Sequence, residues 1–205
     1  MTIEGPPLAP DTPPVLLLDV MGTLVRDPFF DEMPAFFGLT LEDLLKVKHP
    51  SAWVDFEHGH IDEAACMERF FVDGRAFDVE AFKGHVAGGY EWLPGVEPLL
   101  EELSSRGLEM HALSNYTPWW RMIEDRLALS RYLRWTFVSC VTGVRKPHPE
   151  AYLGAARALG RAPASCVFVD DRRSNVTAAH AVGMPGLVFR DAATLRADLT
   201  ALGVL

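Results

Sequence analysis

Val15-Leu16-Leu17-Leu18-Asp19-Val20-Met21-Gly22-Thr23-Leu24-Val25 is the stretch of the sequence from which the fold can be inferred. It begins with four branched apolar residues, a run that is too short for a helix and is typical of a strand buried on both faces of a parallel sheet. The run ends at Asp19, just before a turn that contains Gly22. Ligands of open α/β sheets bind beyond the carboxyl ends of the strands, so Asp19 is a candidate site residue. The alternative is that Asp19 only caps the turn.

Strand and helix patterns alternate from residue 93 onward, which predicts a parallel sheet with right-handed helical crossovers. Further strands are predicted at residues 110–113, 136–141, 166–169 and 186–189. The fold class is therefore predicted to be α/β, with a Rossmann-like parallel sheet.

The segment 26–92 differs from the rest because it carries helix patterns only. Helix starts are predicted at Thr40, Asp62 and Asp78, where a capping side chain precedes an amphipathic run. We therefore predict a flexible N-terminal lead-in at residues 1–13, a core domain made of 14–25 and 93–205, and a small all-helical cap domain at 26–92, inserted after the first strand.

The composition of the sequence restricts the classes of partner that the protein is expected to bind. The formal net charge is −9 and the sequence has no basic block, which argues against nucleic acid or an anionic membrane surface as partner. Three cysteines without metal-type spacing are typical of free thiols in a reducing compartment. We find no signal peptide or membrane span and expect a cytoplasmic protein, either a monomer or a homodimer.

Polar residues follow three of the predicted strands: Asp19, the pair Ser114-Asn115 and the pair Asp170-Asp171. Parallel strands end at one edge of the sheet, so these residues should converge, and Lys146 follows a further strand. Three carboxylates repel one another unless a cation neutralises them, and their hard oxygen ligands favour Mg²⁺. A Mg²⁺ beside a carboxylate, a hydroxyl, an amide and a lysine indicates a site for phosphoryl chemistry.

Each of these elements also has a simpler interpretation. Ser114-Asn115 alone is typical of a turn, and Lys146 alone is typical of a solvated loop. Asp170-Asp171 could simply start a helix whose surface carries ion pairs. Their order and their shared position after buried strands favour a common site.

Four motifs together resemble those of the haloacid dehalogenase (HAD) superfamily of hydrolases. The first is Asp19-Val20-Met21-Gly22-Thr23, followed by Ser114, by Lys146 before a proline, and by Asp170-Asp171. The resemblance implies the HAD fold, in which residues 26–92 would be the cap.

The same resemblance implies an enzyme that hydrolyses a small phosphomonoester through an aspartyl-phosphate on Asp19. Mg²⁺ would be held by Asp19, Asp171 and the main-chain oxygen of Met21, with Asp170 acting mainly through water. Ser114 and Lys146 would bind the transferring phosphoryl group, with Lys146 also balancing the charge of Asp19. Asn115 would contact the substrate or the cap, and Asn175 would brace the loop of the acidic pair.

Met21 is the departure from the family pattern, because phosphatases of this family carry a second aspartate there as the proton donor. General acid catalysis is typically worth about 10²–10⁴-fold in rate. His49, His58 and His60 are candidate replacements, as are water or substrate hydroxyls. The substitution also leaves open a 2-haloacid dehalogenase-type hydrolase, or a catalytically weak relative that binds a ligand or a protein.

Stretches of the predicted cap and core also resemble one subgroup of the family, the flavin mononucleotide (FMN) hydrolases of plant chloroplasts. Among these stretches are residues 25–30, 34–38, 48–50 and 70–75. The resemblance implies that FMN is a candidate substrate, whose isoalloxazine ring needs flat apolar surfaces. Candidate aromatic residues are Phe36, Phe37, Trp53, Phe56, Tyr116, Trp119 and Trp120; the alternative is that they form the core.

Overall fold

A five-stranded parallel sheet forms the centre of the protein in the computed structural model, which describes residues 5–9 and 13–205. The spatial order of the strands is β3-β2-β1-β4-β5. Every neighbouring pair is parallel, which confirms the predicted α/β class. The strands are β1 (Val15–Leu18), β2 (Met110–Ser114), β3 (Arg134–Val138), β4 (Cys166–Asp170) and β5 (Gly186–Val188).

Five short helices occupy the segment between β1 and residue 92. Three begin at the predicted capping residues, because Thr40, Asp62 and Asp78 each accept a hydrogen bond from a backbone N–H three residues on. Two more were not predicted, since neither begins with a side-chain cap. The helices are α1 (Glu32–Phe36), α2 (Leu41–Val47), α3 (Ala52–Glu57), α4 (Glu63–Glu68) and α5 (Val79–Gly88). We call them the cap helices; the division into two domains stays a prediction.

The remaining helices alternate with the strands from β2 onward, as predicted. A single-turn helix after β3 is the exception. They are α6 (Val96–Ser105), α7 (Trp120–Leu127), α8 (Ser139–Thr142), α9 (Pro149–Ala158), α10 (Arg173–Ala181) and α11 (Ala192–Ala201).

The strand predicted at residues 136–141 is partly wrong, because β3 ends at Val138 and the chain turns into α8. The chain leaves the sheet at Ser139, where the side-chain hydroxyl accepts a hydrogen bond from Tyr116 N at 3.0 Å. The same hydroxyl donates to Glu57 O at 2.5 Å. Val141, which made the run look like a strand, is exposed.

β1 contributes to the core on both faces of the sheet. Leu16 and Leu18 belong to a large apolar cluster that also contains residues of the cap helices, such as Phe56 and Phe82. Val15 and Leu17 belong to a second cluster with residues of α9 and α10. The apolar contacts of the cap helices are therefore continuous with one face of the sheet.

The two linkers to the cap helices run side by side close to the end of β1. Arg26 N donates to Glu91 O, and Leu93 N donates to Leu24 O, each at 2.9 Å. An antiparallel bridge between Val25 and Trp92 completes this pairing. The chain therefore leaves and re-enters the core at one place, a few residues from Asp19.

The predicted flexible lead-in, residues 1–13, lies partly outside the described residues, since 1–4 and 10–12 are not among them. Within it, Ala9 N donates to Ala164 O at 2.8 Å, and Leu8 packs against the large apolar cluster. All three cysteines are free. Within residues 5–9 and 13–205, no helix has the length and apolar character needed to cross a membrane.

We expect Leu17→Ala to lower the free energy of unfolding by about 2–5 kcal/mol, because it opens a cavity in the central strand, where Leu17 is completely buried. Urea denaturation of the two proteins would measure the difference. Leu45→Ala on exposed α2 is the control and should change the stability by less than about 0.5 kcal/mol. Equal effects of the two substitutions would contradict the placement of β1.

Candidate active site

The buried ammonium of Lys146 lies between two carboxylates at the carboxyl edge of the sheet. Its Nζ is 2.7 Å from Asp19 Oδ1, after β1, and 2.7 Å from Asp170 Oδ2, at the end of β4. All three side chains are nearly inaccessible to solvent. A buried charge is stable only when it is paired and hydrogen-bonded, so the three groups depend on one another.

Asn115 fixes the backbone from which Lys146 extends. Its Oδ1 accepts a hydrogen bond from Lys146 N at 2.7 Å, and its Nδ2 donates to Lys146 O at 2.8 Å. The residue after β2 thus holds the loop before α9 through both polar atoms of its amide. The structure therefore places Asn115 against Lys146, at the wall of the cavity described below.

Asp170 is saturated with donors besides Lys146. Asn175 Nδ2 lies 3.0 Å from each carboxylate oxygen, and Arg172 N donates to Oδ1 at 2.8 Å. Both oxygens of Asp170 are therefore occupied by donors. Asn175 contacts the acidic pair as the sequence suggested.

The turn after β1 packs directly against Asp171. Thr23 Oγ1 accepts a hydrogen bond from Asp171 N at 3.1 Å. Gly22 has a φ of 77°, and a Cβ there would lie 2.9 Å from Asp171 Oδ2. Both the backbone conformation and the space require glycine at position 22.

Oxygen atoms suited to a magnesium ion meet at this point. Carboxylate oxygens of Asp19, Asp170 and Asp171 lie within 4.8 Å of one another. Among the described residues, no hydrogen bond is made to the main-chain oxygen of Met21. Hard oxygen donors, one of them without a partner, are the ligands that Mg²⁺ prefers, so the residues present fit this ion.

Electrostatics points the same way. Burial raises the pKa of Asp19 to about 7; Lys146 opposes the shift, whereas Asp170 and Asp171 add to it. Burial, followed by Asp170, also raises the pKa of Asp171. The single positive charge of Lys146 thus does not neutralise three carboxylates, and a divalent cation would favour their ionised forms.

Ser114, the last residue of β2, lies at the same edge of the sheet. It is 2% exposed, and its hydroxyl makes no hydrogen bond to the described part of the chain. Buried hydroxyls without partners are uncommon, because the lost hydrogen bond costs free energy. Ser114 is therefore a free donor at the site, although it is not one of the residues that line the cavity.

A cavity of about 220 Å³ lies between the sheet edge and the cap helices. Charged residues form much of its wall. The acidic ones are Asp19, Asp27 and Glu57, and the basic ones are Lys48, Arg145, Lys146 and Arg172. Glu57 is paired, since its Oε2 lies 2.7 Å from an Arg145 nitrogen and its Oε1 accepts from Trp53 Nε1 at 2.9 Å.

Apolar rings complete the cavity. Phe29, Trp53 and Tyr116 line it, so two of the seven predicted aromatic candidates are in place. Phe36 and Phe37 instead pack against Phe82 within the cap helices. Phe56 and Trp119 are buried in the core, and Trp120 packs on Trp135. For these five residues the alternative interpretation, packing, describes what the structure shows.

The predicted histidine candidates lie elsewhere, since His49, His58 and His60 are not among the residues that line the cavity. His49 Nδ1 accepts from the backbone at the start of α3. His58 Nδ1 donates to Gly143 O at 3.2 Å, and the His60 ring stacks on the His58 ring. None of the three histidines is therefore placed to act on a ligand beside Asp19.

Contacts between α3 and the core close the cavity on one side. Besides the bond from Ser139 to Glu57 O, the pair Glu57–Arg145 joins a cap helix to the loop that carries Lys146. Away from the cavity wall, Trp119 Nε1 donates to Glu63 Oε2 of α4 at 2.6 Å. These contacts hold the cap helices against the sheet edge.

Five charged cavity residues had no predicted role: Asp27, Lys48, Glu57, Arg145 and Arg172. A signal existed for Arg145, which precedes Lys146 in the sequence, and for Arg172, which follows the acidic pair. For the cap residues Lys48 and Glu57, none did, because only the folding of α2 and α3 over the sheet brings them to the site.

Residues 14–183 match the family model described as haloacid dehalogenase-like hydrolase. The chain is 49% identical over 191 residues to flavin mononucleotide hydrolase 1, chloroplastic, of Arabidopsis thaliana. That alignment covers 93% of this chain and 78% of the plant protein.

Two solved structures share the fold. One is a HAD family enzyme from Bacteroides thetaiotaomicron in complex with magnesium and inorganic phosphate, with a TM-score of 0.68 and 17% identity over 90% of this chain and 99% of that chain. The other is L-2-haloacid dehalogenase from Xanthobacter autotrophicus, with a TM-score of 0.62 and 18% identity over 95% and 85% of the two chains.

We expect Asn115→Ala to lower the free energy of unfolding by about 1–3 kcal/mol, because the backbone N–H and C=O of Lys146 lose their partners. Urea denaturation would measure the change. Ser105→Ala, which removes an exposed hydroxyl on α6, is the control and should shift stability by less than about 0.5 kcal/mol. A stability of Asn115→Ala equal to that of the wild type would show that Lys146 does not depend on this amide.

Proposed function

The chain belongs to the haloacid dehalogenase-like hydrolase family, and we propose that it is a magnesium-dependent phosphatase whose substrate is flavin mononucleotide. The observation that carries the proposal is the meeting of Asp19, Lys146 and the acidic pair at one edge of the sheet, where Asp19 and Lys146 line a cavity. Phosphoryl transfer depends on placing a nucleophile and neutralising charge, and this cluster can do both.

Asp19 would act as the nucleophile. One of its carboxylate oxygens would attack phosphorus, so that one difficult displacement becomes two easier ones through an aspartyl-phosphate. Lys146 contacts Asp19 Oδ1, and its ammonium would also stabilise the negative charge of the phosphoryl oxygens. The free hydroxyl of Ser114 would donate a hydrogen bond to the same group.

Magnesium would be held by Asp19, Asp171 and the main-chain oxygen of Met21. Asp170 would act through water, because its oxygens are already occupied by Lys146, Asn175 and Arg172 N. When bound, the ion would neutralise charge on the phosphoryl group during transfer.

The support for FMN comes from the plant relative and from the residues that line the cavity. That relative is named a flavin mononucleotide hydrolase, and its similarity spans the cap helices and the core alike. Phe29, Trp53 and Tyr116 supply aromatic surface against which a flat ring can pack. The basic side chains of the wall suit a substrate with a phosphate and several polar oxygens.

Dehalogenation would use the same aspartate against carbon, without a metal. The acidic pair argues against dehalogenation, because without a metal ion Lys146 alone would have to neutralise three neighbouring carboxylates. The likeness to the dehalogenase structure concerns the fold alone.

Removal of metal with EDTA is expected to abolish phosphate release from FMN, and added Mg²⁺ is expected to restore it. Mg²⁺ should also raise the melting temperature, because a ligand that binds only the folded state stabilises it. Asp171→Asn should weaken this thermal shift, whereas Asp73→Asn, at an exposed site in the cap segment, should not. Full phosphate release in EDTA would contradict the magnesium site.

We expect FMN to be hydrolysed with a higher kcat/KM than sugar phosphates and nucleotides. The matched test of the aromatic wall is Trp53→Leu, which should raise KM for FMN more than KM for a sugar phosphate. Phosphate release under single-substrate conditions measures both. If FMN is no better than generic phosphomonoesters, the flavin assignment is wrong while the phosphatase assignment stands.

A further inference from the structure

Met21 leaves the site without a proton donor at the position where phosphatases of the family carry one, yet an alcohol leaving group needs a proton. General acids lie within hydrogen-bond reach of the leaving atom, so a replacement must line the cavity that contains Asp19. Apart from the lysines, three side chains of the wall other than Asp19 can carry such a proton: Asp27, Glu57 and Tyr116. Of the two lysines, Lys146 is bound to Asp19 and Asp170, and the Lys48 ammonium faces the ring of Phe29, 5.9 Å from its centroid.

Two of these three are already engaged. Both oxygens of Glu57 are held, one by the guanidinium of Arg145 and the other by Trp53 Nε1. Burial raises the pKa of the Glu57 carboxyl, and both of these contacts oppose that shift. Tyr116 shares a buried hydrogen bond of 2.8 Å with Tyr90. Burial also raises the pKa of the Tyr116 phenol far above its usual range, which makes it a poor acid near neutral pH.

Asp27 differs in having a carboxylate oxygen without a partner. Its Oδ1 accepts a hydrogen bond from Phe29 N at 2.9 Å, which fixes the side chain in the loop after β1. Across the part of the chain that the structure describes, its Oδ2 makes no hydrogen bond or ion pair. Asp27 is therefore held in place at the cavity wall with one oxygen available for a ligand.

We propose that Asp27, eight residues after the nucleophile, is the general acid and base that takes the role vacated at Met21. This inference rests on the proposed phosphatase function. It makes Asp27 a catalytic residue that contacts the leaving oxygen of the substrate.

The surroundings of Asp27 favour the protonated form that an acid needs. Burial raises the pKa of its carboxyl, and the hydrogen bond from Phe29 N and the charge of Arg172 offset this only in part. The negative charges of Asp171 and Glu32 act in the same direction as burial. A raised pKa brings a carboxylic acid closer to the range in which general acids work.

The two chemical steps then balance. In the first, Asp19 forms a bond to phosphorus while the bond from phosphorus to the ester oxygen breaks, and neutral Asp27 gives its proton to that oxygen. In the second, ionised Asp27 takes a proton from the water that attacks phosphorus. Phosphate leaves, and Asp19 returns as a carboxylate beside neutral Asp27.

Asp27→Asn tests this with little change of shape, because an asparagine oxygen can still accept from Phe29 N. With FMN, whose alcohol leaves poorly, we expect turnover to fall by about 10²–10⁴-fold. With p-nitrophenyl phosphate, whose leaving anion is stable without a proton, the first step should keep the wild-type rate. The variant should therefore release a burst of one p-nitrophenolate per site and then turn over slowly, because the second step has lost its base.

Asp31→Asn is the matched control, since Asp31 lies in the same loop, is exposed and pairs with Arg26 outside the cavity. It should hydrolyse both substrates like the wild type. If Asp27→Asn slows the first step equally with both substrates, or leaves FMN turnover unchanged, the inference is wrong.

A second measurement does not depend on the variant. With a series of aryl phosphates, the first step of the wild type should depend weakly on leaving-group basicity, and a steep dependence would refute an acid at the site. Wild-type protein that releases no phosphate from FMN or p-nitrophenyl phosphate would instead overturn the proposed function itself.

Discussion

The pairing of one buried ammonium with two buried carboxylates is the constraint on which the site depends. Lys146 is bound to Asp19 and Asp170, and these three residues come from three separate parts of the chain. Removing one partner of such a cluster leaves an uncompensated buried charge, which typically costs about 3–5 kcal/mol. The three groups therefore stay together because β1 pairs with β4 and because Asn115 holds the backbone of Lys146 by two hydrogen bonds.

The same cluster explains how the work is divided between core and cap helices. Groups that would act on phosphorus lie on the sheet edge, where paired strands fix their backbones. Groups that would contact the remainder of the substrate, such as Trp53 and Lys48, lie on the cap helices. Substrate preference can thus change through the cap while the chemistry of the sheet edge stays constant. Asp27 lies on the linker between them and lines the same cavity as Asp19.

Local chemistry explains which parts of this arrangement could be predicted from the sequence. The apolar run before Asp19 predicted the central strand, and the capping residues Thr40, Asp62 and Asp78 predicted three helix starts. The strand ends also led to Asp19, Lys146 and the acidic pair, because parallel strands must end together. The predicted end of β3 was wrong, because Ser139 makes a hydrogen bond to Glu57 O, 82 positions away in the sequence. Glu57 was missed for a similar reason, because only the folding of α3 over the sheet brings it to the cavity. Asp27 was missed because its place depends on the course of the linker after β1.

The most direct test of the account is to find where the phosphoryl group goes during turnover. FMN would be mixed with the enzyme and Mg²⁺, quenched in acid within one turnover, and the protein digested for mass spectrometry. The account predicts a transient phosphoryl group on the peptide that contains Asp19, absent from an Asp19→Asn variant that no longer releases riboflavin. A phosphoryl group on another residue, or riboflavin release by Asp19→Asn at the wild-type rate, would contradict it.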